Sequence, residues 1–399
     1  MQVQAATTRE FDEALAAARE GGVSRTVALT LIRAREGDEL DALMTAAAEL
    51  RNRVKGRRVT YSRKVFIPLT NLCRDYCGYC TFRKDPGEAG ARTMTPDEVL
   101  AVAEAGARLG CKEALFSLGD RPEAVFPEMR ETLGRLGHRT TLSYLAEMCE
   151  RVLNETGLLP HANPGLMGRK DLERLRQFNP SMGLMLESTS DRLALPGMAH
   201  DNAPDKPPLL RLKTIEEAGR LKIPFTTGIL IGIGETLDER VDSLFALREL
   251  HERYGHIQEV IIQNFRAKPE IPMRNHPEPG MLDHARTIAV ARLVLREMNV
   301  QAPPNLSDDN YPSLLRAGIN DWGGISPLTP DFINPEKPWP HIERLAERTA
   351  DEGFELSERL SVYPEYVGED SFFHDRLRSR VRAMSDGLAS RPQHIGVKQ

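Results

Sequence analysis

Apolar residues recur at Leu40, Leu43, Met44, Ala47, Leu50 and Val54. That spacing is close to the 3.6-residue helical period, so the stretch reads as a helix with Asp38 as its N-cap and Gly56 ending it. Beyond it the pattern changes. Short runs rich in β-branched and other apolar residues predict strands at 64–69, 113–118, 158–163, 182–187, 223–231, 259–264, 300–303 and 319–322. Helical periodicity lies between them at 96–109, 142–155, 169–178, 209–221, 237–254 and 282–298. Strands alternating with helices imply a parallel sheet with crossover connections.

The connections are asymmetric. Segments running from helix into strand are short, such as 110–112, whereas those leaving strands are long and often proline-rich: 70–94, 119–140, 188–208, 265–280 and 323–340. In a closed parallel barrel all of these crowd the C-terminal rim of the strands, where such folds carry their chemistry. The expected fold is therefore α/β, a TIM-like (β/α)8 barrel over residues 59–340. A helical segment, 1–58, precedes it, and a charged helical extension without a motif, 341–399, follows.

Composition narrows the function. With 40% hydrophobic and 28% charged residues over 399 positions, the chain has material for a large core and is not a disordered protein. No apolar run is long enough to cross a bilayer, and the N-terminus lacks the basic and apolar regions of a secretory signal, so a cytoplasmic protein without a membrane partner is expected. A net charge of −5, spread along the chain, offers no electrostatic footprint for nucleic acid. A small-molecule substrate is the expected partner.

Five cysteines are too few and too uneven for a disulfide framework, yet Cys73, Cys77 and Cys80 form a C-x3-C-x2-C run directly after the first predicted strand. Three thiolates can converge from one loop. A structural zinc site prefers four protein ligands, and the loop contains no fourth Cys or His. An iron–sulfur cubane suits soft thiolates, and three of them leave one iron open. Cys111 and Cys149 lie far along the chain and read as buried small hydrophobes. His161 and His256 read as ordinary structural polar residues.

This run, with the aromatic Tyr79 before its last cysteine, resembles the radical S-adenosylmethionine (SAM) superfamily. The resemblance implies a 4Fe-4S cluster on Cys73, Cys77 and Cys80, with SAM chelating the fourth iron as co-substrate. It also implies cleavage of SAM to a 5'-deoxyadenosyl radical after reduction, hence an external reductant. Further cofactor contacts follow from matching positions. Gly119 and Asp120 stand where relatives carry a Gly-Glu-like motif near the SAM amino group, although Asp is one methylene shorter. Glu187, Ser188 and Arg192 stand where relatives hold the SAM ribose and carboxylate, and Gly228 and Gly232 belong to a glycine-containing strand beside adenine.

The flanking sequence is more particular. VTYSRKVFIPLTNLCRD (59–75), FSLGDRPE (116–123), HANPG (161–165), FTTGI (225–229), IQNFR (262–266), QAPPNL (301–306) and NDWGG (320–324) resemble the subunit 1 type of the FO synthase family. That family makes the 8-hydroxy-5-deazaflavin chromophore of coenzyme F-420. The resemblance implies an ammonia-releasing radical lyase. Its substrate is the adduct of a tyrosine-derived hydroxybenzyl group with 5-amino-6-ribitylaminouracil, converted to 7,8-didemethyl-8-hydroxy-5-deazariboflavin (FO). One cysteine motif rather than two implies a separate subunit 2 as supplier of the adduct. The nearest alternatives are the partner reaction joining tyrosine to the diaminouracil and the related futalosine-pathway enzymes; a four-ligand electron-transfer protein is the alternative of another class.

Polar residues near strand ends are the candidates for holding a uracil, a ribityl chain and a phenol: Asn163, Gln263, Asn264, Arg266, Asn305, Asp321 and Trp322. Amides match the donor and acceptor edge of a pyrimidine dione, and an indole can stack on a ring.

Overall fold

The computed structural model describes residues 7–390, so 1–6 and 391–399 of the two expected end segments lie outside the described residues. Eight parallel strands close into a barrel: β1 (Arg58–Pro68), β2 (Glu113–Ser117), β3 (Leu159–Asn163), β4 (Ser181–Gly183), β5 (Phe225–Ile231), β6 (Ile257–Asn264), β7 (Asn299–Gln301) and β8 (Asp321–Ile325). Closure comes from β1, which pairs with β2 through Lys64–Pro68 and with β8 through Thr60–Arg63. Crossover helices such as Pro96–Arg108 and Leu237–Tyr254 start on capping boxes, Thr95 with Glu98 and Thr236 with Glu239.

Period-2 alternation sorts the side chains of β1. Ser62, Lys64 and Phe66 face the lumen, whereas Val65 packs outward, where a Cβ at Gly106 of the first crossover helix would come within 2.3 Å of it. The expected helix is Asp38–Lys55, with Gly37 rather than Asp38 at its N-cap and Asp38 in its first turn; it packs on the helix Met281–Leu295, Arg25–Leu31 packs mainly on Leu237–Tyr254, and Thr8–Glu20 packs on these two N-terminal helices.

The structure departs from the sequence expectations in three places. The strand expected at 182–187 forms a continuous ladder only over β4; beyond it Glu187, with a left-handed backbone (φ 65°), keeps an isolated bridge to Ile229 of β5, its N–H donating to the Gly228 carbonyl and its carbonyl accepting from Leu230 N–H. The expected loop at 119–140 contains the helix Pro127–Arg135. The C-terminal extension is not purely helical: β9 (Glu355–Arg359) pairs in parallel with the lower half of β1, from Arg58↔Glu355 to Ser62↔Arg359. Residues that follow β9 then cross beneath the barrel, where the Ser361 carbonyl accepts from Ser181 Oγ (2.8 Å) and Gln258 Nε2 (3.0 Å).

Arg359, projected by β9, closes the floor. It donates to Asp321 (2.6 and 2.9 Å) and to Glu259 (3.1 Å), and Tyr363 Oη donates to Glu259 at 2.8 Å. Among the described residues, no helix is long and apolar enough to cross a membrane.

Burial also gives the fold an acid sensitivity. It pushes His161 and His284 down to about 4 and His200 and His256 down to about 3. These side chains fold neutral, so stability is full above the ordinary histidine range near 6.5 and falls as the unfolded chain takes up protons below it. Each contributes a loss on the order of 1 kcal/mol by about pH 5.5. Asp120, raised to about 7 by burial and by Asp205, works in the opposite sense. A melting temperature that drops between pH 6.5 and pH 5 is expected, and a flat profile over that range would contradict it.

Candidate active site at the barrel rim

The long loop after β1 carries the three thiols to the C-terminal rim. Backbone hydrogen bonds hold it there: Tyr76 N–H to the Asn202 carbonyl and Gly78 N–H to the Ala199 carbonyl, both 2.8 Å. Cys73, Cys77 and Cys80 are free thiols on the wall of one cavity of about 270 Å³. Burial pushes the Cys77 thiol up to about 12 and Cys73 upward as well, so without a metal they stay protonated. The Cys73 sulfur accepts two backbone N–H groups, from Asp120 (3.2 Å) and Asp75 (3.4 Å). Donors aimed at sulfur, three thiols on one wall and the absence of a disulfide fit a soft-metal cluster.

Gly119 makes this approach possible. A Cβ there would lie 1.9 Å from the Leu72 carbonyl oxygen and 2.6 Å from Cys73 Cβ, so a side chain would push the β2 rim away from the cysteine loop. Gly119→Ala is expected to cut iron loading several-fold while leaving the far-ultraviolet helical signal intact. Full iron content in that variant would show that the close packing is dispensable.

Charge around the cavity is divided. Asp75, Asp120 and Asp205 place carboxylate oxygens within 4.8 Å of one another. Asp205 is neutralised by Arg74 (2.6 and 2.8 Å) and by Arg121, whereas Asp75 and Asp120 border the cavity. Asp120 Oδ2 also accepts from Leu166 N–H at 2.9 Å. Across the cavity Glu187 pairs with Lys206 at 2.8 Å, and Arg211 reaches it at 3.9 Å. Burial by itself raises Glu187, but Lys206 and Arg211 outweigh it and hold the carboxyl below its ordinary range. Tyr79 forms part of the wall and its hydroxyl meets His200 Nε2 at 3.2 Å.

A second cavity, about 200 Å³, continues downward inside the barrel. Both share Ser117, Asn163, Leu184, Met185, Gln263, Ile333 and Asn334 at their junction. The lower one reaches Lys64, paired with Glu113 at 2.8 Å, and ends on Arg359 and Ser361. Gly324 makes room for the lysine, since a Cβ there would sit 2.1 Å from Lys64 Cε.

The structure therefore gathers Cys73, Cys77, Cys80, Tyr79, Gly119, Asp120, Glu187, Asn163, Gln263, Asn264 and Arg266 around one continuous cavity. Other expected residues serve elsewhere. Arg192 is held in a fork by Glu239 (2.7 and 3.2 Å) and is not on the cavity wall, because Glu239 on the next helix offers a ready counter-ion. Ser188 Oγ accepts from Ser190 N–H and shapes its own turn. Gly228 and Gly232 lie off the wall too. Gly228 admits β6, its Cβ position being 2.2 Å from the Ile261 carbonyl, and Gly232 (φ 86°) lies against Pro279.

Three substrate candidates are also displaced. Asn305 ties the rim loop by donating to Asp331 and the Lys337 carbonyl (both 3.0 Å). Asp321 belongs to the floor ion pair. Trp322 borders the lumen, but its indole N–H donates to Thr349 at 3.0 Å and its ring meets Tyr311 edge-on, so it packs into the core. Sequence reasoning missed Lys206, Arg211, Lys64, Glu113, His161 and Gln301. A lysine inside an otherwise apolar strand and a glutamate opening the next one were the available signals for Lys64 and Glu113.

Comparison with known proteins agrees with this geometry. The Radical SAM superfamily model matches residues 67–247. The FO synthase of Mycobacterium tuberculosis is 50% identical over 401 residues, covering 95% of this chain and 47% of that protein. The 7,8-didemethyl-8-hydroxy-5-deazariboflavin synthase of Methanopyrus kandleri is 50% identical over 328 residues, covering 82% of this chain and 98% of that one. The chain thus spans about half the length of the FO synthases it matches. In fold it is similar to the FeFe-hydrogenase maturase HydG from Carboxydothermus hydrogenoformans (TM-score 0.71, 20% identity, 94% of this chain and 88% of that one). It is likewise similar to methylornithine synthase PylB (TM-score 0.68, 20% identity, 86% and 97%).

Proposed function

The chain belongs to the radical SAM superfamily and, within it, to the family of FO and 7,8-didemethyl-8-hydroxy-5-deazariboflavin synthases, and on that premise we propose that it makes FO by an ammonia-releasing lyase reaction. The observation that carries this reading is the continuous cavity, which begins at three free thiols and ends in a polar lumen inside the barrel. The substrate is the hydroxybenzyl adduct of 5-amino-6-ribitylaminouracil. A separate subunit 2 supplies it and an external reductant serves the cluster, in the cytoplasm.

Cys73, Cys77 and Cys80 hold the cluster, and Asp75 and Asp120 present carboxylates to the ammonium end of SAM. When bound, these groups supply a carbon radical that removes hydrogen from the substrate, chemistry no side chain here provides. The protein's own task is positioning. Leu184, Met185, Leu230 and Phe265 line the cavity beside the polar groups and limit water near the reacting carbon. Asn163 and Gln263 offer amide donors and acceptors to the edge of a pyrimidine dione where the two cavities join.

The test is anaerobic reconstitution with iron and sulfide, reduction, and addition of SAM with the preformed adduct, followed by deazaflavin fluorescence and mass spectrometry of 5'-deoxyadenosine. Both products are expected. Deoxyadenosine without deazaflavin would sink the substrate, and turnover of tyrosine with the diaminouracil instead would assign the partner reaction.

A further inference from the structure

Three side chains lining the lower cavity, each at least nine-tenths buried, carry polar atoms that make no hydrogen bond among the described residues: Ser361 Oγ, which is sealed from solvent, and His161 Nε2 and the Gln301 amide. Polar groups inside a fold normally find partners, so unpartnered ones lining a single cavity mark a ligand's place. Hydrogen-bond order fixes the histidine. Ser181 Oγ donates its single hydrogen to the Ser361 carbonyl at 2.8 Å and must accept from His161 Nδ1–H, also at 2.8 Å. Nε2 is left as a bare lone pair, and burial keeps the ring neutral by pushing it down to about 4.

The three groups differ in kind. His161 Nε2 only accepts, the Gln301 amide donates and accepts, and Ser361 Oγ does either. Register sets their depth. His161 lies opposite Leu115, and Gln301 opposite Ile261, both midway down the barrel, while Ser361 lies on the floor. A chain of hydroxyls, each both donor and acceptor, matches two groups midway down and one at the floor. A phenol, with one hydroxyl on an apolar ring, would satisfy one group and strand the others.

Resting on the FO reading above, we propose that the lower cavity binds the ribityl chain, pointing to the barrel floor along Gln301, His161 and Ser361, so that the hydroxybenzyl end faces the cysteines. The substrate then enters the lumen polyol first. The junction between the cavities, flanked by Leu184, Met185 and Ile333, takes the pyrimidine ring.

FO carries the same chain and is fluorescent, so the orientation is testable by product binding, without radical chemistry. The full chain is titrated with FO and with the analogue bearing a methyl group in place of ribityl. Wild type is expected to bind FO at least about tenfold more tightly, the scale of one or two buried hydrogen bonds. Gln301→Leu is expected to bring the two ligands within about twofold of each other by weakening FO alone, and the milder Ser361→Ala to narrow the gap in the same sense. Equal affinities in wild type would overturn the orientation and leave the FO reading standing. Equal weakening of both ligands in both variants would also overturn it. Saturable binding of neither ligand would bring down the FO reading and this inference together.

Discussion

Serine in place of Cys77 is expected to abolish deoxyadenosine formation, by at least about 10³-fold, while the protein remains folded. On the proposed assignment Cys73, Cys77 and Cys80 would hold the cluster, and three thiolates would leave one iron open for SAM. Serine keeps the shape of the side chain, but its alkoxide is a poor ligand for iron. The loop does not depend on the sulfur for its position. Backbone hydrogen bonds to Asn202 and Ala199 hold it, as does the Arg74–Asp205 fork. Loss of iron and of the visible thiolate-to-iron absorption is therefore expected with little change in melting temperature, and Cys73→Ser and Cys80→Ser should behave alike. Cys149→Ser is the control. That thiol is buried beside Asn179 at 3.7 Å, off the cavity wall, so the variant should load iron normally. Retention of the absorption in Cys77→Ser, or its loss in Cys149→Ser, would place the metal elsewhere.

Arg359→Met is expected to destabilise the fold by about 3–5 kcal/mol, read as a melting temperature lower by roughly 5–10 °C. Asp321 is fully buried and Glu259 nearly so, and the guanidinium is the cation that both carboxylates touch. Burial opposes the charge on Arg359, yet Asp321, Tyr363 and Glu259 overcome it and hold its pKa well above the ordinary value. Burial pushes Glu259 the other way, upward, by more than Arg359 lowers it. With methionine, apolar packing survives and two acids lose their counter-ion, so one of them must take up a proton or admit water. The loss should shrink as pH falls toward 5, where that protonation becomes easier. A melting temperature within about 2 °C of wild type at neutral pH would show that the floor is already hydrated or protonated.

Much of the architecture was legible because barrel strands and crossover helices follow local periodicities. The strands at 113–118, 158–163 and 259–264 and the helix at 237–254 match the structure to within two residues. β9 was missed for an equally physical reason. Its sequence, ELSER, is polar and has no apolar alternation, since one side of it faces the ionic floor and its strand character comes from pairing with β1. Arg192 was misplaced because a guanidinium near a strand end suits a cofactor carboxylate as well as it suits Glu239, and only folding brings that helix alongside. Trp322 borders the lower cavity but directly follows Asp321, whose carboxylate takes the floor, so strand alternation turns the indole toward Thr349 and Tyr311.

By itself, the sequence determined what is written in contiguous residues: the alternation that makes a parallel barrel, the three-cysteine loop after the first strand, and through them the class of cofactor and chemistry. The tertiary structure alone decided which distant side chains meet. Lys64 with Glu113 on the neighbouring strand, Arg359 with Asp321 and Glu259, and Gln301, His161 and Ser361 around the lower cavity come together from different strands, separated by tens to hundreds of residues. Local periodicity says which face a residue takes. Closure of the sheet, and the passage of the C-terminal segment beneath it, decide what that face encloses.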